Sequence, residues 1–93
     1  MAIFITRIEL HYANYSDYEN LHAAMERNGF TRTIEGSNGT TYQLPTAEYY
    51  CSGNYTRDSV MSSAKAAAAS TGKNYAVLVS QADGCTWVGL ATA

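Results

Sequence analysis

The chain has one proline, Pro45, and two cysteines, Cys51 and Cys85, among its 93 residues. It has no linker, internal repeat or low-complexity stretch, so a single domain over residues 1–93 is expected. The cysteines lack the close spacing of a zinc or redox motif, and they read as small, half-buried residues with reduced thiols. Charge is also sparse, with six basic and eight acidic residues and a net charge of −2. Arg7, Arg27, Arg32, Arg57, Lys65 and Lys73 are scattered, which excludes the basic stripe of a strong, non-specific duplex-binding domain. No apolar run approaches the length of a membrane-spanning helix. The opening Met-Ala-Ile-Phe-Ile-Thr-Arg lacks the basic and apolar regions of a signal peptide. A cytoplasmic protein with no membrane partner is expected. Phosphate loops, dinucleotide fingerprints, zinc spacings, calcium loops and nucleophile elbows are all missing, so neither a cofactor nor a metal site is expected.

What is present is a clear order of patterns. Residues 2–11 alternate: Ala2, Phe4, Thr6, Ile8 and Leu10 share one strand face, and Ile3, Ile5, Arg7, Glu9 and His11 the other. Ser16 and Glu19 have capping-box spacing and open a helix that ends at Gly29, with Tyr18, Leu21 and Met25 as its buried stripe. His22 lies beside that stripe as a boundary residue. Strands over Thr31–Glu35 and Thr40–Leu44 flank Gly36-Ser37-Asn38-Gly39, whose residues suit a hairpin turn. Glu48 to Cys51 either extends the third strand past a bulge or forms an ordered loop. Thr56 caps a second helix ending at Gly72, and Val60, Ala64, Ala67 and Ala68 form its inner stripe. A strand from Tyr75 to Ser80 follows. The turn signal Asp83-Gly84 then predicts a last strand, Cys85–Ala91, folding back on it. The order is that of a ferredoxin-like β-α-β-β-α-β sandwich: an α+β fold with an antiparallel sheet, two helices on one face and an extra C-terminal edge strand.

Many activities occupy that scaffold, so function must be argued from sites. Arg7, Glu9 and His11 stand in a row on the uncovered face. A histidine moves protons near neutral pH, an arginine grips a phosphate by paired hydrogen bonds, and an acid orients the histidine. These are the parts needed for RNA cleavage without a metal, and Arg32 is a second candidate phosphate ligand. The alternative is a solvated sheet face carrying a cross-strand ion pair. Eight tyrosines against two phenylalanines and one tryptophan favour a contact surface. Tyr12, Tyr15, Tyr49, Tyr50 and Tyr55 are expected to gather from two loops at one end of the sheet. Exposed Ile3 and Ile5 invite a homodimer through the open face.

The chain resembles the GhoS-type endoribonuclease antitoxins of type V toxin–antitoxin systems. The likeness rests on Arg7-Ile8-Glu9-Leu10-His11, Asp17-Tyr18, Leu21-His22-Ala23-Ala24-Met25 and Gly29-Phe30-Thr31-Arg32-Thr33-Ile34. Tyr42 to Tyr49, Ala76-Val77-Leu78-Val79 and Thr86-Trp87-Val88-Gly89-Leu90 complete it. The resemblance implies a ferredoxin-like fold and metal-independent cleavage of a toxin messenger RNA. It carries over no catalytic residue, so Arg7, His11 and Arg32 remain candidates by their chemistry. The competing expectation is a non-enzymatic inhibitor, such as a phage anti-CRISPR protein, that binds a protein complex of host defence through its tyrosines.

Overall fold

The computed structural model describes residues 2–93. The elements run β1 (Ala2–Leu10), α1 (Tyr15–Arg27), β2 (Thr33–Glu35), β3 (Thr41–Gln43), β4 (Glu48–Gly53), α2 (Arg57–Ala69) and β5 (Tyr75–Ala82). The result is a small α+β fold. β1 is the middle strand of an antiparallel sheet of order β4-β1-β5, while β2 and β3 form a two-stranded sheet. Single bridges extend this lateral order: Thr31 pairs with Tyr50 on β4, and Tyr42 on β3 pairs with Thr92.

The alternation of β1 decides which face the helices cover. Phe4, Thr6, Ile8 and Leu10 are buried, whereas Arg7 and Glu9 are exposed. Phe4 and Ile8 pack with Leu21 and Met25 of α1, Tyr49 of β4, and Val60, Ala64 and Ala68 of α2. Burying a side chain such as Phe4 or Leu21 contributes roughly 1.5–3 kcal/mol. The alanines of α2 keep that helix close to the sheet. Thr6 is the oddity: its hydroxyl is buried with no hydrogen-bond partner among the described residues.

Three expectations are corrected. α1 is capped by Asn14, not Ser16: Asn14 Oδ1 accepts from the Asp17 N–H at 3.0 Å, and Asp17 Oδ2 accepts from the Asn14 N–H at 3.0 Å. The earlier start lets Tyr18 reach back, its hydroxyl accepting the Leu10 N–H at 3.0 Å. Second, residues 48–53 form a full strand beside β1. After Pro45 the chain turns through Ala47, which has φ 71°, and the Ala47 carbonyl accepts the Ile8 N–H at 3.0 Å. Tyr49 and Cys51 then alternate into the core.

Third, the C-terminal segment does not pair with β5. It crosses to the hairpin, where Gln43 N donates to the Ala91 carbonyl at 2.8 Å and Ala93 N to the Thr41 carbonyl at 3.0 Å. Trp87 packs edge-on against Tyr42, with ring centroids 5.4 Å apart. Covering this ring and pairing the free edge of β3 compete with a local hairpin, and they win. Both cysteines are free, Cys51 buried and Cys85 exposed.

Candidate active site on the uncovered sheet face

The helices cover one face of the sheet, and the odd-numbered residues of β1 line the other. Pairing sets Tyr50 opposite Ile5 and Glu48 opposite Arg7 on one side, with Ser80 and Leu78 opposite the same two residues on the other. Arg7 Nη1 lies 3.5 Å from Glu48 Oε2. His11 Nε2 lies 3.4 Å from Glu9 Oε1. Arg7 and Glu9 are thus exposed on this face, Arg7 beside Glu48 and Glu9 beside the ring of His11, which stands one residue past the end of β1. An exposed ion pair such as Arg7–Glu48 is worth at most about 1 kcal/mol, so an incoming phosphate competes with Glu48 on easy terms.

At the far end of this face lies a groove of about 370 Å³. Its walls include Ile3 and Tyr50 from the sheet, Ile34 and Tyr42 from the hairpin, and Cys85 and Trp87 from the C-terminal segment. Gly36 makes the floor: a Cβ there would come within 3.1 Å of the Tyr42 ring and 3.4 Å of the Trp87 ring. Any side chain there would require Asn38 and the Tyr42 ring to give by a few tenths of an ångström. Polar groups of Glu35, Ser37 and Asn38 rim the groove. Its volume sits at the lower end of small-molecule sites, which run from roughly 300 to 1,000 Å³.

Arg32 does not join this row. It occupies a bend between the Thr31 bridge and β2. Its charge acts on Tyr15, His22 and Tyr49, which belong to the helix-covered side. Arg32 thus stands apart from Arg7 and His11, next to the Thr31 bridge beyond β4 in the lateral order. The tyrosine cluster is divided as well. Tyr12 and Tyr15 follow the C-terminal end of β1 and are 99% and 80% exposed. Tyr55 follows β4, which runs antiparallel to β1, so it sits at the opposite end. Tyr50 faces the uncovered side, and Tyr49 is fully buried.

Tyr49 instead joins a pair that sequence reasoning missed. His22 is buried, and its Nδ1 lies 2.7 Å from the Tyr49 hydroxyl. Burial lowers the His22 pKa, and the Arg32 charge adds to the shift. Burial also raises the Tyr49 phenol far above its ordinary value. Both shifts favour the neutral rings, joined by this hydrogen bond. The sequence signal for His22 is its place four residues after Tyr18 and three before Met25, beside the inner stripe of α1. Tyr49 carries no such signal, because Glu48 to Cys51 fits either an extension of the third strand or an ordered loop.

Among the described residues, no group of three or more histidine, cysteine or acidic side chains is placed to hold a metal ion. No described helix is long and apolar enough to cross a membrane. No protein-family model matches the chain, and no curated protein matches it.

Proposed function

We propose that the protein is a GhoS-like antitoxin that cleaves single-stranded RNA without a metal, on a ferredoxin-like scaffold. The observation that carries this reading is that one uncovered sheet face holds Arg7, Glu9 with His11 beside it, and an aromatic groove. The lateral order β5-β1-β4, continued by Thr31, supports the ferredoxin-like assignment. The resemblance of the sequence to GhoS-type antitoxins supports the activity.

In this reading His11 removes the proton from a ribose 2′-hydroxyl, with Glu9 fixing the ring. The 2′-oxygen attacks the adjacent phosphorus; Arg7 starts about 14 Å from His11, four residues at ~3.4 Å each, so it must leave Glu48 and extend along the face toward His11 to hold the phosphate oxygens as charge builds. The 5′-oxygen departs and takes a proton from water, leaving a 2′,3′-cyclic phosphate and a 5′-hydroxyl end. Four residues of strand separate Ile3 from Arg7, about 14 Å at ~3.4 Å per residue. A base in the groove therefore stacks near the cleaved phosphate but not at it, against Tyr42, Tyr50 or Trp87. With a net charge of −2, binding relies on stacking more than on phosphate attraction. Arg32 has no part in this mechanism.

The test is cleavage of a labelled RNA pool in chelator by the wild type, His11→Ala and Arg7→Ala. Cleavage is expected to fall about 100-fold or more in each variant, the usual scale for a lost acid–base or charge-stabilising group, with circular dichroism unchanged. Absence of cleavage by the wild type, or cleavage indifferent to both changes, overturns the reading. A second reading is then favoured by Tyr12, an almost fully exposed aromatic in the left-handed region at φ 54°. Tyr12 and Tyr15 would form the contact surface of a protein-binding inhibitor.

A further inference from the structure

β5 ends the sheet, and its outer edge has no strand beside it among the described residues. Two hydrogen bonds establish which main-chain groups point outward. Ile8 N donates to Ala47 on the β4 side, and His11 N donates to the Asn74 carbonyl on the β5 side. Odd-numbered β1 residues therefore bond to β5, through their partners Ala76, Leu78, Ser80 and Ala82. The N–H and C=O groups of Tyr75, Val77, Val79 and Gln81 face outward. Proteins protect such an edge with lysine, proline, a bulge or a covering segment. β5 reads Tyr-Ala-Val-Leu-Val-Ser-Gln-Ala, with no charge and no proline, and its register with β1 is unbroken. The C-terminal segment that follows crosses to β3 and leaves the edge open.

We infer that this edge is a homodimer interface, in which β5 pairs antiparallel with β5 of a second copy across a two-fold axis. An uncharged strand has no repulsion against itself, and a two-fold contact closes without leaving a new edge. One register pairs all four outward-facing residues: Tyr75 with Gln81 and Val77 with Val79, each in both directions. Those four pairs exchange two hydrogen bonds apiece. The same register sets Leu78 opposite its own copy in a non-hydrogen-bonded pair, where side chains approach most closely. Leu78 is 63% exposed in the single chain, and this pairing covers part of it with the second copy. The interface lies in the plane of the sheet, so the dimer expected from Ile3 and Ile5 is relocated and the uncovered face stays open. This inference does not depend on the RNA reading.

The test combines sedimentation with cross-linking of the full chain. The wild type is expected to show concentration-dependent dimers. In a Cys85→Ser background, Leu78→Cys is expected to form a disulfide-linked dimer under mild oxidation. The paired Cα atoms lie about 4.5 Å apart in such a pair, within the roughly 4.4–6.8 Å span of a disulfide. Ala76→Cys alone should not cross-link, but mixed with Ser80→Cys it should. Leu78→Lys should weaken dimerisation at least about tenfold by setting like charges face to face, with the fold intact. Ile5→Lys, on the uncovered face, should leave the dimer unchanged. A wild type that stays monomeric at every concentration overturns the inference. So does a dimer that Ile5→Lys dissociates, or one that Leu78→Cys fails to trap.

Discussion

His22 and Tyr49 meet inside the fold across 27 residues of chain, a pairing that no local pattern specifies. Burial lowers the folded pKa of His22 below its ordinary 6.5, so the unfolded chain takes up its proton first. The linked stability is fully present above about pH 6.5, the unfolded value. It declines as pH falls from there toward the lowered folded value. Urea unfolding of the wild type between pH 7.5 and 5 should show this decline. His22→Gln should flatten that part of the profile, and an equal slope in both proteins would show that the ring is not held neutral. Arg32 makes a related point. Its residue type suggested phosphate, but its charge acts on Tyr15, His22 and Tyr49, in keeping with its place between the buried Phe30 and Ile34.

At the scale of the element, the two helices differ in how plainly their starts were written. Thr56 caps α2 as expected, and Ser59 completes a reciprocal box. α1 has two candidate boxes, Asn14 with Asp17 and Ser16 with Glu19, and local chemistry does not choose between them. The structure adopts the first, with the Tyr18 hydroxyl of the same first turn on the Leu10 main chain. Asn14→Ala is expected to cost about 1 kcal/mol, while Ser16→Ala should be near neutral, both read by urea unfolding. The reverse ranking would restore Ser16 as the cap. β1 was fully legible because a period of two is a local property. β4 was not, because an apolar and aromatic run after Pro45 fits a loop or a bulge until β1 is known to lie beside it.

Over the whole molecule, the strand order determines what each surface can do. With β4 antiparallel to β1, the tyrosines of the two connections fall at opposite ends. The C-terminal segment leaves the β5 edge and closes the aromatic groove. Trp87 is its anchor, and an aromatic pair such as Tyr42–Trp87 is worth roughly 0.5–1.5 kcal/mol beyond the area it buries. Trp87→Ala is therefore expected to speed amide exchange in β2, β3 and residues 91–93, while protection in β1, β4 and β5 is retained. Loss of protection throughout would mean that the segment supports the main sheet as well. The sequence by itself determined the α+β class, the two faces of β1, the inner stripes of the helices and the exposure of Arg7 and Glu9. All of these follow from short-range periodicity and from caps that act within a few residues. Only the tertiary structure decided the burial of His22 against Tyr49, the neighbours of Arg32, the separation of the tyrosines, the groove and the bare edge of β5. Each of these depends on which distant segments pair, and that is settled by competition for buried area and main-chain hydrogen bonds across the whole chain.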